Sequence, residues 1–362
     1  STEVLQAFNS RGLEAVEPEA AAEMMRQILL PDWSAVEMSA VALQPQVESR
    51  LRRRQTLMGA SSLWSHHLLP VEDSLATDEW RLIFHEAIPY LQGHRKNHRA
   101  VVPAALMLCL AADLAASVQP SPKPALHLHL YVFNGITIPD AAAVTVQAQA
   151  QIADDSESGS LTVKQSLTQR PHYKMKWSWR GLSKPATLWR FTPDVDARSL
   201  LYCDRADVYT ACLFHSGVMA RLCDRVVIDP ASHTSWCRAR PTPLLDQLGV
   251  DGLIADTPLP NRDLTLVDAM LQLLLVQTIE TCGFSALPQE LAMVLLNPMP
   301  SEGVVQLTIT IVQIQGSCLE AIGACSDSSG DLLFVMERSK FTISKNLLDH
   351  PPGIIHSREA HA

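Results

Sequence analysis

"GHRKNHRAVVPAALMLCLAADLAA", residues 93–116, is the stretch that decides the fold. Five of its first seven residues are His, Arg or Lys, and beyond Pro103 it is apolar except for Asp113. Proline suits a first helical position, where no N–H is needed, so a helix is predicted over 103–118, ended by "SVQPSPKP". A helix apolar on nearly every side belongs inside a core. The basic residues before it are either a solvated turn or part of a site.

Strands follow that helix. "ALHLHLYVFNGITIP" (125–139), "AVTVQAQAQI" (143–152), "LTVKQSL" (161–167) and "YKMKWSW" (173–179) alternate to differing degrees, and acidic "DDSESGS" (154–160) reads as a turn. The order then recurs. "LVDAMLQLLLVQTIET" (266–281) is a second apolar helix, closed by Gly283, with strands expected at 304–315, 317–325 and 332–343. Strands that succeed one another without intervening helices make the chain α+β with antiparallel pairing, not a parallel sheet. Elsewhere, residues 1–30 read as helix, 35–43 as a short strand, and 44–62, with its Arg run, as a solvated connector. The tail 350–362 reads as disordered.

Composition narrows the function. The 362 residues are 47% apolar and 19% charged, enough for a large core, and the net charge of −9 argues against nucleic-acid binding. No apolar run reaches the length of a membrane span, and the first residues lack the features of a signal peptide. The eight cysteines show no CxxC pairing and read as reduced, buried thiols of a cytoplasmic protein, with no metal site expected. His127 and His129 share one strand face, read as solvated. Trp177 and Trp179 read as packing. His66, His67 and His85 have no evident partners.

Two places hold residues suited to proton transfer. His94 lies nine residues before Pro103, and Asp268 and Gln272 lie four apart on one face of the second helix. A histidine and a carboxylate drawn from matching halves can meet at their junction. One is a base near neutral pH; the other is an acid if burial raises its pKa. From spacing alone, a histidine before a helix is more often a capping or surface residue, and a carboxylate in a first helical turn is favoured by the helix dipole.

The motifs resemble a known family. "HRKNHRAVVP" (94–103) is similar to the HxxxGxxxxP signature of double-hotdog dehydratase domains of polyketide and fatty-acid synthases, and "VDAMLQ" (267–272) to their DxxxQ motif. "LFHSGVMARL" (213–222) resembles a degenerate (Y/H)GPxF motif. "YLQGHRKNHRAVVPAAL", "LYVFNGITIP" and "HYKMKW" most resemble dehydratases of polyunsaturated fatty acid and enediyne-type iterative synthases. "SRGLEAVEPEAAAEMMRQIL" resembles the last helix of a preceding ketoreductase.

The resemblance implies a double hotdog: a ketoreductase remnant and linker at 1–50, a first hotdog at 51–190, a second at 191–349, and a flexible tail at 350–362. It implies removal of water from a β-hydroxyacyl thioester, carried on the phosphopantetheine arm of an acyl carrier protein, to give an α,β-unsaturated thioester. His94 would take the α-proton, Asp268 would assist the hydroxyl, and Gln272 would hold Asp268. His98, Pro103, His215, Gly217 and Met219 would bind substrate, and Arg95, Lys96 and Arg99 would face the carrier. No diffusible cofactor is implied; the partners are the carrier and the synthase's other domains, and a homodimer is compatible. His98 stands where the motif has glycine, at a cost of ~1 kcal/mol if φ is positive. Ser216, Gly217 and Met219 replace Gly, Pro and the aromatic. The alternatives are a non-catalytic dehydratase-like scaffold and a hotdog thioesterase. No glycine-rich dinucleotide loop supports a ketoreductase.

Overall fold

The computed structural model describes residues 79–118, 125–181, 199–242, 247 and 263–344, except 141, 154, 155, 167 and 301, and three short strands nearer the N-terminus. The first half comprises β1 (Glu79–His85), α1 (Ala104–Val118), β2 (Leu126–Val132), β3 (Ala143–Ile152), β4 (Ser158–Gln165) and β5 (Pro171–Trp179). The second comprises β6 (Leu201–Cys203), β7 (Val226–Asp229), β8 (Thr234–Ala239), α2 (Leu264–Cys282), β9 (Ser285–Leu295), β10 (Val305–Gln315), β11 (Cys318–Ser326) and β12 (Leu332–Ser344).

One antiparallel sheet runs through both halves. Its order β1-β3-β4-β5-β2 is answered by β8-β10-β11-β12-β9, and the halves join where β2 pairs with β9, from Tyr131 opposite Glu290 to Leu126 opposite Leu295. Each half therefore places a helix before the same four strands and one strand before the helix. α1 packs on β2 and β5, α2 on β8, β9 and β10, and the helices pack on each other. The fold is a double hotdog.

Burial follows the residues. Leu126, Leu128 and Leu130 of β2 and Tyr173, Met175, Trp177 and Trp179 of β5 face the core, as strand alternation requires. Against the expectation that no apolar run reaches the length of a membrane span, α2 is 19 residues with mean hydropathy 1.3, long and apolar enough to cross one, but it lies largely buried within the protein. Asp263 caps its N-terminus, accepting from Thr265 N at 2.8 Å and Leu266 N at 3.4 Å. Gly283 ends it at φ +71°, the left-handed conformation glycine adopts without a β-carbon clash.

Some expectations change. Leu13–Ala15, inside the expected N-terminal helix, is a strand paired antiparallel with Val41–Leu43; partner pairing outweighs helix propensity there. The short strand expected at 35–43 includes that partner. The rest of 1–50, the 44–62 connector, most of the segment around the 190/191 boundary, and the tail lie outside the described residues. β1, β6 to β8 and β9 were not legible in the sequence. β9 carries Pro288, which reads as a break; the structure absorbs it at a register irregularity between Pro288 and Glu290. His127 is not solvated but buried, and His129 hydrogen-bonds Glu290 at 2.7 Å.

Candidate active site

The basic stretch folds as a tight hairpin. Arg95–Lys96 pairs with Arg99–Val101 around Asn97 and His98, which sit at φ +49° and +63°. Both central residues are left-handed, as a two-residue hairpin turn that matches strand twist requires. Asn and His tolerate that region better than most side chains. The turn carries His98 outward: it is exposed and does not line the cavity described below. His98→Gly is expected to leave any activity unchanged and raise stability by up to ~1 kcal/mol, less what the glycine's extra chain entropy removes; thermal melts of the two proteins check this.

His94 sits at the base of the hairpin. A helical turn, Pro89–Gln92, delivers it, and Gly93 lets the chain pass close to a second segment. Ser216 N donates to Gly93 O at 2.8 Å, and His94 bridges His215. A β-carbon on Gly93 would lie 2.4 Å from Ser216 O and 3.0 Å from Met219 Cγ. The close approach brings the two histidines together, ring centroids 4.9 Å apart, with Phe214 edge-on to His94 at 5.0 Å.

α2 supplies the acid. One turn inside its N-terminus, Asp268 points at His215, with Oδ2 3.3 Å from His215 Nε2. Gln272, one turn further on, donates from Nε2 to Asp268 Oδ2 at 2.8 Å and to Met219 O at 2.7 Å. Tyr209 donates to Gln272 Oε1 at 2.8 Å and accepts from Leu222 N at 2.9 Å. With an O–H on one end of the amide and a carbonyl on the other, Gln272 can present only N–H to Asp268. Burial pushes the Tyr209 phenol up, which keeps it a donor.

The charge states follow. His94 donates from Nδ1 to Val101 O at 2.7 Å, leaving the lone pair on Nε2. Burial pushes its pKa down to about 4 against the attraction of Asp268. For Asp268, burial raises the pKa, but His215, His94 and the Gln272 N–H outweigh it and hold the carboxyl below its ordinary value. At neutral pH the site thus holds a neutral His94 and an ionised Asp268. The expectation that burial would raise the acid is corrected: the donors facing Asp268 decide its state.

The His94 shift has a stability consequence. Between pH 6.5 and about 4 the unfolded chain binds a proton that folded His94 refuses, so stability falls as pH drops through that window. His94→Gln is expected to flatten that slope in melting temperatures against pH, leaving in place the loss at still lower pH that comes from Asp268, whose carboxyl is held below its ordinary value.

A cavity of about 430 Å³ opens on these groups. His94, His215, Asp268 and Lys96 line it, with apolar walls from Val101, Val102, Tyr173, Leu271, Leu274, Leu275 and Phe341. Leu271 and Leu275 follow Asp268 at helical spacing, a signal present in the sequence. Phe133, Phe214 and Leu287 also line it and remain exposed, framing its mouth. Cys212 lines it too, but burial pushes that thiol up to about 11, so it stays protonated and offers no nucleophile at neutral pH.

Of the remaining residues singled out in the sequence, Pro103, Gly217 and Met219 do not line the cavity. Pro103 is buried before α1, Gly217 turns the backbone at φ +53°, and Met219, fully buried, serves through its carbonyl. The Arg95 guanidinium is taken by Glu86, by Asp140 at 2.7 Å and by His98 O, so its charge is spent within the chain. Arg99 is exposed. Among the described residues, His94, His215 and Asp268 form a group with one metal-ligand-type atom each, all within 4.8 Å of one another. Cysteine spacing could not have revealed this set. Asp268 Oδ2 already accepts from Gln272, while His215 Nδ1 is buried without a hydrogen-bond partner. Tyr209 and Gly93 were missed because neither belongs to a local pattern.

Solved structures share this arrangement of sheet and helices. The dehydratase domain from the CurJ module of the curacin polyketide synthase aligns at TM-score 0.57 and 18% identity, over 77% of this chain and 97% of its own. That of RzxB from Pseudomonas fluorescens aligns at 0.57 and 15%, over 76% and 99%. That of PpsC from Mycobacterium tuberculosis, in complex with C12:1-CoA, aligns at 0.58 and 12%, over 77% and 98%. The fold is that of polyketide synthase dehydratase domains. No protein-family description matches the chain, and no curated protein sequence does. In this dehydratase fold the cavity lies where both halves contribute: His94 from the first, His215 and Asp268 from the second.

Proposed function

We propose that the chain is the dehydratase domain of a polyketide or polyunsaturated fatty acid synthase, acting in the cytoplasm. It removes water from a β-hydroxyacyl thioester held by an acyl carrier protein. The observation that carries this reading is the pair His94 and Asp268, both buried, with ligand atoms within 4.8 Å of each other at the wall of one apolar cavity. That spacing is within the reach of one bridging water or substrate hydroxyl.

The residues suggest an order of events. His94 Nε2 takes the proton from the α-carbon, and the electron pair left behind forms the double bond. The C–O bond at the β-carbon breaks, and the leaving oxygen takes the proton from His94 to depart as water. The Asp268 carboxylate stabilises the imidazolium between the two transfers and accepts from the substrate hydroxyl. His215 and Gln272 hold that carboxylate, and Tyr209 sets the Gln272 amide. The elimination balances with proton transfers alone, so the reading assigns no diffusible cofactor. The apolar walls suit a hydrocarbon acyl chain.

The test is incubation with a carrier protein loaded with a β-hydroxyacyl group, followed by mass spectrometry of the intact carrier. Loss of one water supports the reading. Release of free acid would favour a thioesterase, and an unchanged carrier a scaffold.

A further inference from the structure

Along the outer face of β5 and just beyond it lie three cations, Lys174, Lys176 and Arg180. Tyr173, Met175, Trp177 and Trp179 turn inward, so His172, Lys174, Lys176, Ser178 and then Arg180 turn outward. At strand rise the row extends about 26 Å. It begins at the cavity's rim: His172 O accepts from Phe133 N at 2.9 Å and Asn134 N at 3.2 Å, and both residues line the cavity. Among the described residues Lys174, Lys176 and Arg180 form no ion pair. Lys176 instead lies over the Tyr131 ring, 5.7 Å from its centroid.

A second observation marks the far end. Arg180 donates to His127 Nδ1 at 3.3 Å, which leaves the hydrogen on His127 Nε2. That nitrogen is buried without an acceptor, and His127 is only 7% exposed. A buried N–H without a partner is costly. Of the nearby carboxylates, Glu290 is taken by Lys340 and His129, while Glu337, beside His127, offsets part of the charge at the far end.

We propose that this row receives the acidic face of the carrier protein that delivers substrate, a role that rests on the dehydratase reading. The chain's net charge of −9 repels an acidic partner at long range, so a local cationic row leading to the cavity must orient it. The hairpin is the poorer candidate, because Arg95 is already paired with Glu86 and Asp140.

Fluorescence anisotropy with a labelled, acidic, phosphopantetheine-bearing acyl carrier protein tests this on the full chain. Lys174→Glu with Lys176→Glu is expected to weaken binding about tenfold or more and flatten its salt dependence. The milder Lys174→Gln with Lys176→Gln should lose less, and its melting temperature guards against misfolding. Turnover of a small pantetheine thioester should stay unchanged in both. Unaltered affinity in the reversed variant would overturn the proposal, as would an equal loss from Arg99→Glu alone. If no thioester is turned over by any form, the dehydratase reading fails while the binding comparison still stands.

Discussion

Replacing His94 with alanine is expected to lower turnover of a carrier-bound β-hydroxyacyl group at least ~10³-fold while the fold persists. His94 is the neutral imidazole facing the cavity, with its Nδ1 proton committed to Val101 O and only Nε2 left to accept. Asp268→Asn should lose a similar factor for a different reason. The amide keeps the shape but removes the charge that faces the imidazolium, and it sets an N–H against the Gln272 N–H that now serves Oδ2. Removing both should cost little more than removing either, because the two act on one proton path. Intact-carrier mass spectrometry reads the water loss, and circular dichroism confirms the fold. Undiminished turnover in either variant would refute the assigned roles.

Gly93→Ala is expected to disable the site without touching an ionisable group. The added methyl falls 2.4 Å from a backbone oxygen, Ser216 O, which cannot swing aside as a side chain would. The two segments must part, and with them His94 and His215. Overpacking of this kind costs about 1–3 kcal/mol. Activity should fall further than stability alone explains, because a shift of about 1 Å between acid and base is enough to lose ~10²-fold. Chemical denaturation and single-turnover rates measure the two parts. A variant with wild-type rate and lower stability would show that the close approach serves packing only.

Sequence and structure divide the protein between them along a physical line. The two buried helices, the strands that follow them apart from β9, and the α+β class were legible, because apolar periodicity and punctuation by Pro103, Gly283 and the acidic turns are local signals. The i, i+4 relation of Asp268 and Gln272 was legible for the same reason, and resemblance supplied His94. Side-chain pattern could not say that β2 and β9 join the halves, since pairing across more than 150 residues, such as Tyr131 with Glu290, leaves no mark in either strand alone. Nor could it place His215 on Asp268, turn His98 away from the cavity, or commit Arg95 to Glu86 and Asp140. Above all, composition and spacing left the protonation states open. Burial alone drives a carboxyl up and an imidazole down, and only the tertiary structure brought His215 and the Gln272 N–H onto Asp268 to reverse the first while leaving His94 neutral.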